Sequence, residues 1–131
     1  MSPSPSVTSA ASLDAQALQR LRELDPSGQN RLIERVLGAF QSSTLRLGEQ
    51  LDTARSGADL PAIRHVVHTL KSSSASIGAL DLARLCAEIE ASIRDQTTAG
   101  LTALLEAMDR ELALVLQAVQ HTLEDGRGMQ P

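Results

Sequence analysis

Aromatic side chains are almost absent from this chain. The 131 residues contain no tryptophan, no tyrosine and a single phenylalanine, Phe40. Proteins that read single-stranded nucleic acid stack bases on aromatic rings, and strands of β-sandwiches are rich in aromatic residues. The composition therefore argues against both classes and leaves leucine and alanine to fill the core.

Cysteine and lysine each occur once. Because Cys86 has no second cysteine to pair with, the sequence excludes an intramolecular disulfide and a cysteine-based zinc site. Lys71 is the only lysine among 12 basic residues, which face 16 acidic ones, so the net charge of −4 predicts no nucleic-acid-binding surface. The 42% of apolar residues are enough for a core but too dispersed for membrane insertion.

The two ends of the chain have the composition of flexible tails. Residues 1–11 are rich in serine, proline and alanine, and they lack the basic and apolar regions of a secretory signal, so we expect a cytoplasmic protein. Residues 125–131 are similarly polar. The length left between the tails, residues 12–124, predicts one domain.

Apolar residues recur at helical spacing in five segments, whereas no segment alternates as a strand would. The first predicted helix has an apolar stripe that ends at Leu24, and the last runs to Leu123. Four long amphipathic helices with short connections favour an all-α fold, an antiparallel four-helix bundle with a short additional N-terminal helix. The predicted helices cover residues 13–24, the stretch from the turn at 25–28 to about 55, 60–77, 80–94 and 101–123.

Capping residues predict where these helices begin and end. Ser12 is the expected N-cap of the first helix, with Asp14 in its first turn, and Pro26 suits the start of the second helix. Asp59 is the expected N-cap of the third helix, and Gly78 its expected end.

The third predicted helix has one apolar face and one polar face. At about 100° per residue, its apolar residues fall in one sector, and His68 lies roughly 150° from the centre of that sector. We therefore expect the His68 side chain to face solvent, with Lys71 beside it. The other residues on this polar side are Pro61, Arg64, His65, Ser72 and Ala75.

Small residues fill the helix beyond His68, from Ser72 to Ser76. Exposed helix faces usually carry long charged side chains, and serine is less favourable than alanine in a helix by up to about 0.5 kcal/mol per residue. Helix stability therefore does not explain these small residues, and we expect that they leave room for a partner protein to approach His68.

The string HTLKSSSASIGA, residues 68–79, resembles the signature of histidine-containing phosphotransfer (HPt) domains, H-x-L-K-G-S-S followed by a hydrophobic residue and glycine. The resemblance covers about residues 13–123. It implies that His68 accepts a phosphoryl group and that Lys71 assists electrostatically. Ser72 departs from the pattern, because the family usually has a glycine there that leaves room beside the histidine.

The resemblance also implies the partners. An HPt protein carries phosphoryl groups between aspartates of response-regulator receiver domains in a multistep two-component phosphorelay, and it receives them from such a domain or from a hybrid sensor histidine kinase. The receiver supplies Mg²⁺, so we expect no cofactor on this chain and no kinase activity of its own. The expected docking residues are Arg64, His65, Ser72 and Ala75, and burial of every apolar stripe within one bundle predicts a monomer.

Two other functions fit the same residues. The chain could be a helical interaction module that binds a receiver or sensor kinase without accepting phosphate, which Ser72 favours, or the phosphoryl-accepting fragment of a chemotaxis-type kinase.

An imidazole is mostly neutral near neutral pH, so a ring nitrogen is available to attack phosphorus without a general base.

No metal site is expected. His65 and His68 share a helical face but lack further ligands, and Glu88 and Glu90 are two residues apart and do not face one another. Neither of the remaining candidates is expected to form a functional site. Cys86 lies on an apolar stripe and is expected to be a buried thiol, and His121 is expected at the surface or in a structural role.

Overall fold

The structure, a computed structural model, describes residues 13–128 and the side chains of residues 13–125. Within that range it contains helices and no strand, which confirms the predicted all-α class. The predicted tail at residues 1–11 lies outside the described residues. The helices are α1 (Ala15–Leu24), α2 (Leu32–Ser56), α3 (Leu60–Ser76), α4 (Leu80–Arg94) and α5 (Leu101–Gly128), and a 3₁₀ turn, Thr98–Gly100, precedes α5.

Helices α2 to α5 form the bundle. Each packs against the next along the chain, and α2 also packs against α5, so the four helices surround one core. The connections before and after α3 are short, 57–59 and 77–79, so the helices they join run antiparallel. The largest fully buried side chains are Leu37, Val67, Ser74, Ile77, Leu82, Cys86, Ile89, Met108, Val115 and Val119.

Helix α1 begins two residues later than predicted. Asp14 is its N-cap, and its carboxylate accepts a hydrogen bond from Ala17 N–H at 3.2 Å, whereas the predicted cap, Ser12, lies outside the described residues. The Asp14 N–H donates to the carbonyl of Gly78 at 2.8 Å, which fixes this residue outside the helix. The prediction that Leu24 packs inward was also wrong, because α1 ends there and the side chain is exposed.

The start of α2 also differs from the prediction. The helix begins at Leu32 and not near Pro26, because Gly28 adopts a left-handed conformation at φ +73° and interrupts the chain. The buried Asp25 carboxylate then accepts hydrogen bonds from the N–H groups of Asn30 and Leu32, at 3.3 and 3.1 Å. A side chain from the preceding turn thus satisfies the first amides of α2.

Helix α5 extends beyond its predicted end at residue 123, to Gly128. Its last turns carry side-chain contacts at helical spacing, from Gln120 to Glu124 at 3.0 Å and from His121 to Asp125 at 3.3 Å. Side-chain pairs four residues apart stabilise a helix, and these two stabilise the last turns of α5. Residues 125–128 of the predicted C-terminal tail are therefore helical, and residues 129–131 lie outside the described residues.

Candidate functional site

Helix α3 begins at the predicted residue and ends at Ser76, one residue before the predicted end. The Asp59 carboxylate accepts a hydrogen bond from Ala62 N–H at 3.2 Å, and Pro61 stands in the first turn, where its missing N–H breaks no helical bond. At the other end Gly78 adopts φ +81°, the left-handed conformation that terminates helices. The helix that presents the site is thus fixed at both ends.

The two faces of α3 separate as the wheel predicts. The apolar sector is buried in the bundle, whereas the side chain of His68 is 60% exposed. His68 therefore projects from the surface of α3. The buried residues of α3 are Ile63, Val66, Val67, Leu70 and Ser74.

The four predicted docking residues are all exposed around His68. Ser72 and Ala75 lie one and two turns after the histidine, and Arg64 and His65 lie about one turn before it. The depression on the Arg64 side of His68 is shallow, and it is lined by Pro61, Arg64, His65, His68 and Glu90.

Glu90 on α4 contacts both predicted functional residues. Its Oε2 atom lies 2.7 Å from Nδ1 of His68, and its Oε1 atom lies 2.6 Å from Nζ of Lys71. The Glu90 side chain is only 14% exposed. One carboxylate thus joins the imidazole and the ammonium, and we refer to these three residues as the His68–Glu90–Lys71 network.

Sequence reasoning missed Glu90. The prediction that Glu88 and Glu90 do not face one another is correct, because Glu88 pairs with Arg84 at 2.6 Å whereas Glu90 contacts α3. The available indication was the position of Glu90 directly after the buried Ile89 and one turn after the buried Cys86. An acidic residue at the border of an apolar stripe needs a partner on a neighbouring helix.

Hydrogen bonds keep Glu90 ionised. The bond from Lys71 is the largest cause that lowers the pKa of Glu90 below its ordinary value of 4.5, partial burial opposes it, and the bond from His68 lowers it further. Because an ionised carboxylate only accepts hydrogen bonds, Nδ1 of His68 must donate the proton it shares with Glu90. The lone pair of the neutral imidazole then lies on Nε2.

Lys71 is not an unpaired cation. Its side chain is 35% exposed, and its ammonium is bound to Glu90. With a neutral imidazole the His68–Glu90–Lys71 network carries no net formal charge. Lys71 therefore offsets the carboxylate that orients His68.

Cys86 lies inside the bundle, as predicted. Its side chain is fully buried, and burial raises the pKa of the thiol to about 12, an effect that the Glu90 carboxylate increases and Lys71 reduces. Since the thiolate is the reactive form, this thiol is chemically inert in the folded protein.

The remaining candidates form no further site. Among the side chains of residues 13–125, no group of three or more His, Cys, Asp or Glu could hold a metal ion. His121 is exposed and lies 3.3 Å from Asp125. No helix in the described part of the chain is long and apolar enough to cross a membrane.

The fold and the site together define a helical bundle that presents an oriented, solvent-exposed histidine. The family model of the Hpt domain matches residues 35–124, which include α3, α4 and nearly all of α2 and α5. The chain therefore belongs to the Hpt domain family, whose members carry phosphoryl groups and interact with receiver domains and kinases in phosphorelays.

A solved structure gives the same answer. The chain is similar to histidine-containing phosphotransfer protein B (HptB) from Pseudomonas aeruginosa PAO1, with a TM-score of 0.73 and 32% sequence identity over 86% of this chain and 95% of that chain. A comparison with curated proteins found no match. The family and this similarity identify a histidine phosphotransfer protein of two-component phosphorelay signalling.

Proposed function

We propose that His68 carries the phosphoryl group, and that it does so on Nε2. The observation that carries the proposal is the 2.7 Å contact between Nδ1 and the Glu90 carboxylate on an otherwise exposed ring. This contact commits Nδ1 to donating a hydrogen bond, so the nucleophilic lone pair lies on the nitrogen that a partner protein can reach.

The transfer step follows from that tautomer. The Nε2 lone pair attacks the phosphorus of an aspartyl phosphate on a receiver domain, the N–P bond forms, and the bond from phosphorus to the aspartate oxygen breaks. The aspartate leaves as a carboxylate with the electron pair, and no proton moves. Transfer to the next receiver reverses these steps, and Mg²⁺ on the receiver offsets charge on the phosphoryl oxygens.

Glu90 and Lys71 have complementary parts in this step. Because Nδ1 keeps its proton while Nε2 bonds to phosphorus, the ring becomes positively charged, and the carboxylate at 2.7 Å stabilises that charge. Lys71 in turn neutralises the carboxylate, which would otherwise repel the incoming phosphoryl group.

The receiver docks on the exposed side of α3. Arg64 and His65 contact it on one side of His68, and the short side chains of Ser72 and Ala75 leave room on the other. The Ser72 hydroxymethyl group, at the position where the family usually has glycine, lies in this docking surface.

We propose that the protein is a cytoplasmic monomer that exchanges phosphate with receiver domains, and with a hybrid sensor kinase where one supplies the relay. The protein has no kinase activity of its own, since the phosphate donor and the Mg²⁺ belong to the partner. The monomer is supported by the packing of the apolar residues of all four long helices into one core.

The decisive experiment follows label from a phosphorylated receiver domain to this protein. Wild type should acquire acid-labile, alkali-stable phosphate, and His68→Gln should acquire none. His121→Gln is the matched control, because it removes an exposed histidine of α5 that lies 3.3 Å from a carboxylate. Undiminished labelling of His68→Gln would disprove the assignment, and stable receiver binding without label on wild type would favour the pure interaction module.

A further inference from the structure

Three of the four lysine and arginine side chains of α3 and α4 are paired with carboxylates. The guanidinium of Arg64 is the exception, because it has no carboxylate oxygen within 4.0 Å among the described side chains. The other three cationic side chains of α3 and α4 form ion pairs, Lys71 with Glu90 at 2.6 Å, Arg84 with Glu88 at 2.6 Å and Arg94 with Asp95 at 3.0 Å.

Arg64 lies where it can reach a group attached to His68. Both residues line the same depression on α3, one turn apart. Side chains four residues apart have Cβ atoms about 5–6 Å from each other, and helical side chains tilt toward the N-terminus. The imidazole therefore leans toward the turn that carries Arg64, and the exposed arginine side chain is long and flexible enough to turn toward a group on the ring.

A phosphorylated His68 needs such a cation. The phosphoryl group brings up to two negative charges to Nε2, on a ring whose other nitrogen already faces the Glu90 carboxylate. Lys71 balances the Glu90 carboxylate, and the protonated ring carries one positive charge, so a phosphoryl dianion leaves one negative charge unbalanced. An additional cation within reach of the phosphoryl oxygens would stabilise both the phosphorylated protein and the transfer step.

We propose that Arg64 binds the phosphoryl group of phosphorylated His68 through its guanidinium N–H groups. Arginine suits this role because its planar fork donates two parallel hydrogen bonds to phosphoryl oxygens and stays charged throughout. The inference rests on the proposed function of His68. It gives Arg64 a direct contact with the transferred group, in addition to its place in the docking surface.

The first test uses no partner protein. Each variant is phosphorylated with phosphoramidate, and the ³¹P resonance of the phosphohistidine is titrated with pH, with His68→Gln identifying resonances from other histidines. A nearby cation favours the dianion, so we expect the titration midpoint in Arg64→Gln to lie about half a pH unit above that of wild type. Arg64→Lys should fall between them, and Arg46→Gln, which removes an exposed arginine of α2, should match wild type.

The second test measures transfer from a phosphorylated receiver domain to the same variants. We expect the rate to fall about three- to tenfold in Arg64→Gln and to be unchanged in Arg46→Gln. A slower transfer with an unchanged ³¹P midpoint would overturn the proposal, since Arg64 would then contact only the receiver. Wild-type behaviour of Arg64→Gln in both tests would overturn it as well.

These outcomes keep the two proposals apart. If wild type is labelled and His68→Gln is not, the proposed function stands whatever Arg64→Gln does. If His68→Gln is labelled like wild type, the proposed function itself fails.

Discussion

At the scale of single residues, the carboxylate of Glu90 has two donors and two effects. The carboxylate accepts one hydrogen bond from Nδ1 of His68 at 2.7 Å and another from the ammonium of Lys71 at 2.6 Å. The contact with His68 holds the proton on Nδ1 and leaves Nε2 free to react. The contact with Lys71 offsets the negative charge of the Glu90 carboxylate. The proposed acceptor therefore combines an accessible nucleophile with a fixed tautomer.

Removing the carboxylate should change the tautomer of His68. In wild type we expect ¹⁵N NMR to place the proton of the neutral ring on Nδ1, because Glu90 can only accept. In Glu90→Ala the population with the proton on Nε2 should rise, and phosphotransfer should slow about tenfold. Glu90→Gln should retain part of the Nδ1 tautomer through its amide oxygen. A wild-type ring with its proton mainly on Nε2 would contradict the assignment of the nucleophile.

The lowered pKa of Glu90 also predicts a pH dependence of stability. The folded state binds a proton at Glu90 less readily than the unfolded state, so the contribution of this ionised group is complete above about pH 4.5 and is lost as the pH falls through the lowered pKa. Glu90→Gln mimics the protonated acid. The free energies of unfolding of the two proteins, measured with urea from about pH 7 to pH 3, should therefore converge toward low pH, and a difference that does not shrink would contradict the prediction.

At the scale of helices, the loop after α3 is constrained both by its backbone conformation and by its packing against α1. Gly78 combines a left-handed backbone with direct packing against α1, where a Cβ atom would lie 2.7 Å from the Asp14 nitrogen and 2.9 Å from the Ala17 Cβ. The Gly78 carbonyl also accepts the Asp14 N–H. The end of the helix that carries His68 is thus fastened to α1, which lies outside the segment matched by the family model.

Gly78→Ala should destabilise the protein for both reasons. The left-handed conformation alone costs an L-residue roughly 1–2 kcal/mol, and the close contacts add to it, so we expect the free energy of unfolding to fall by about 2 kcal/mol or more. Gly48→Ala is the matched control in the interior of α2, where a Cβ meets nothing within 4 Å. It should stabilise by about 0.5–1 kcal/mol. Equal effects of the two substitutions in urea unfolding would contradict this account.

At the scale of the whole molecule, the four long helices bury one continuous core, and the site rests on its surface. Helix α4 carries both Glu90, which contacts His68, and Cys86, which lies one turn earlier and is fully buried in the core. The thiol reports on the bundle because a reagent reaches it only when the helices separate.

Native protein should react with a thiol reagent such as DTNB far more slowly than unfolded protein. Burial and the raised pKa of about 12 both suppress the thiolate of Cys86. The rate should rise with urea in parallel with unfolding measured by circular dichroism. Rapid reaction in native buffer would show that the bundle opens locally near α4.

The sequence alone determined the helices of the bundle and the outward direction of His68. Both follow from periodicity within one segment, because residues 3.6 apart share a face whatever packs against it. The ends of α3 were equally accessible, since Asp59 and Gly78 act within a few residues of the helix they cap. The start of α2 was not, because the turn before it depends on the buried side chain of Asp25.

Only the tertiary structure decided which groups meet at the site. Glu90 stands 22 residues from His68, and its contact with the imidazole depends on how far α4 is rotated and shifted along α3. The hydrophobic pattern of a single helix does not set that rotation to the accuracy of a hydrogen bond. The same packing pairs Lys71 with a carboxylate and leaves Arg64 beside His68 without one, so the charge available to a phosphoryl group became visible only in the folded bundle.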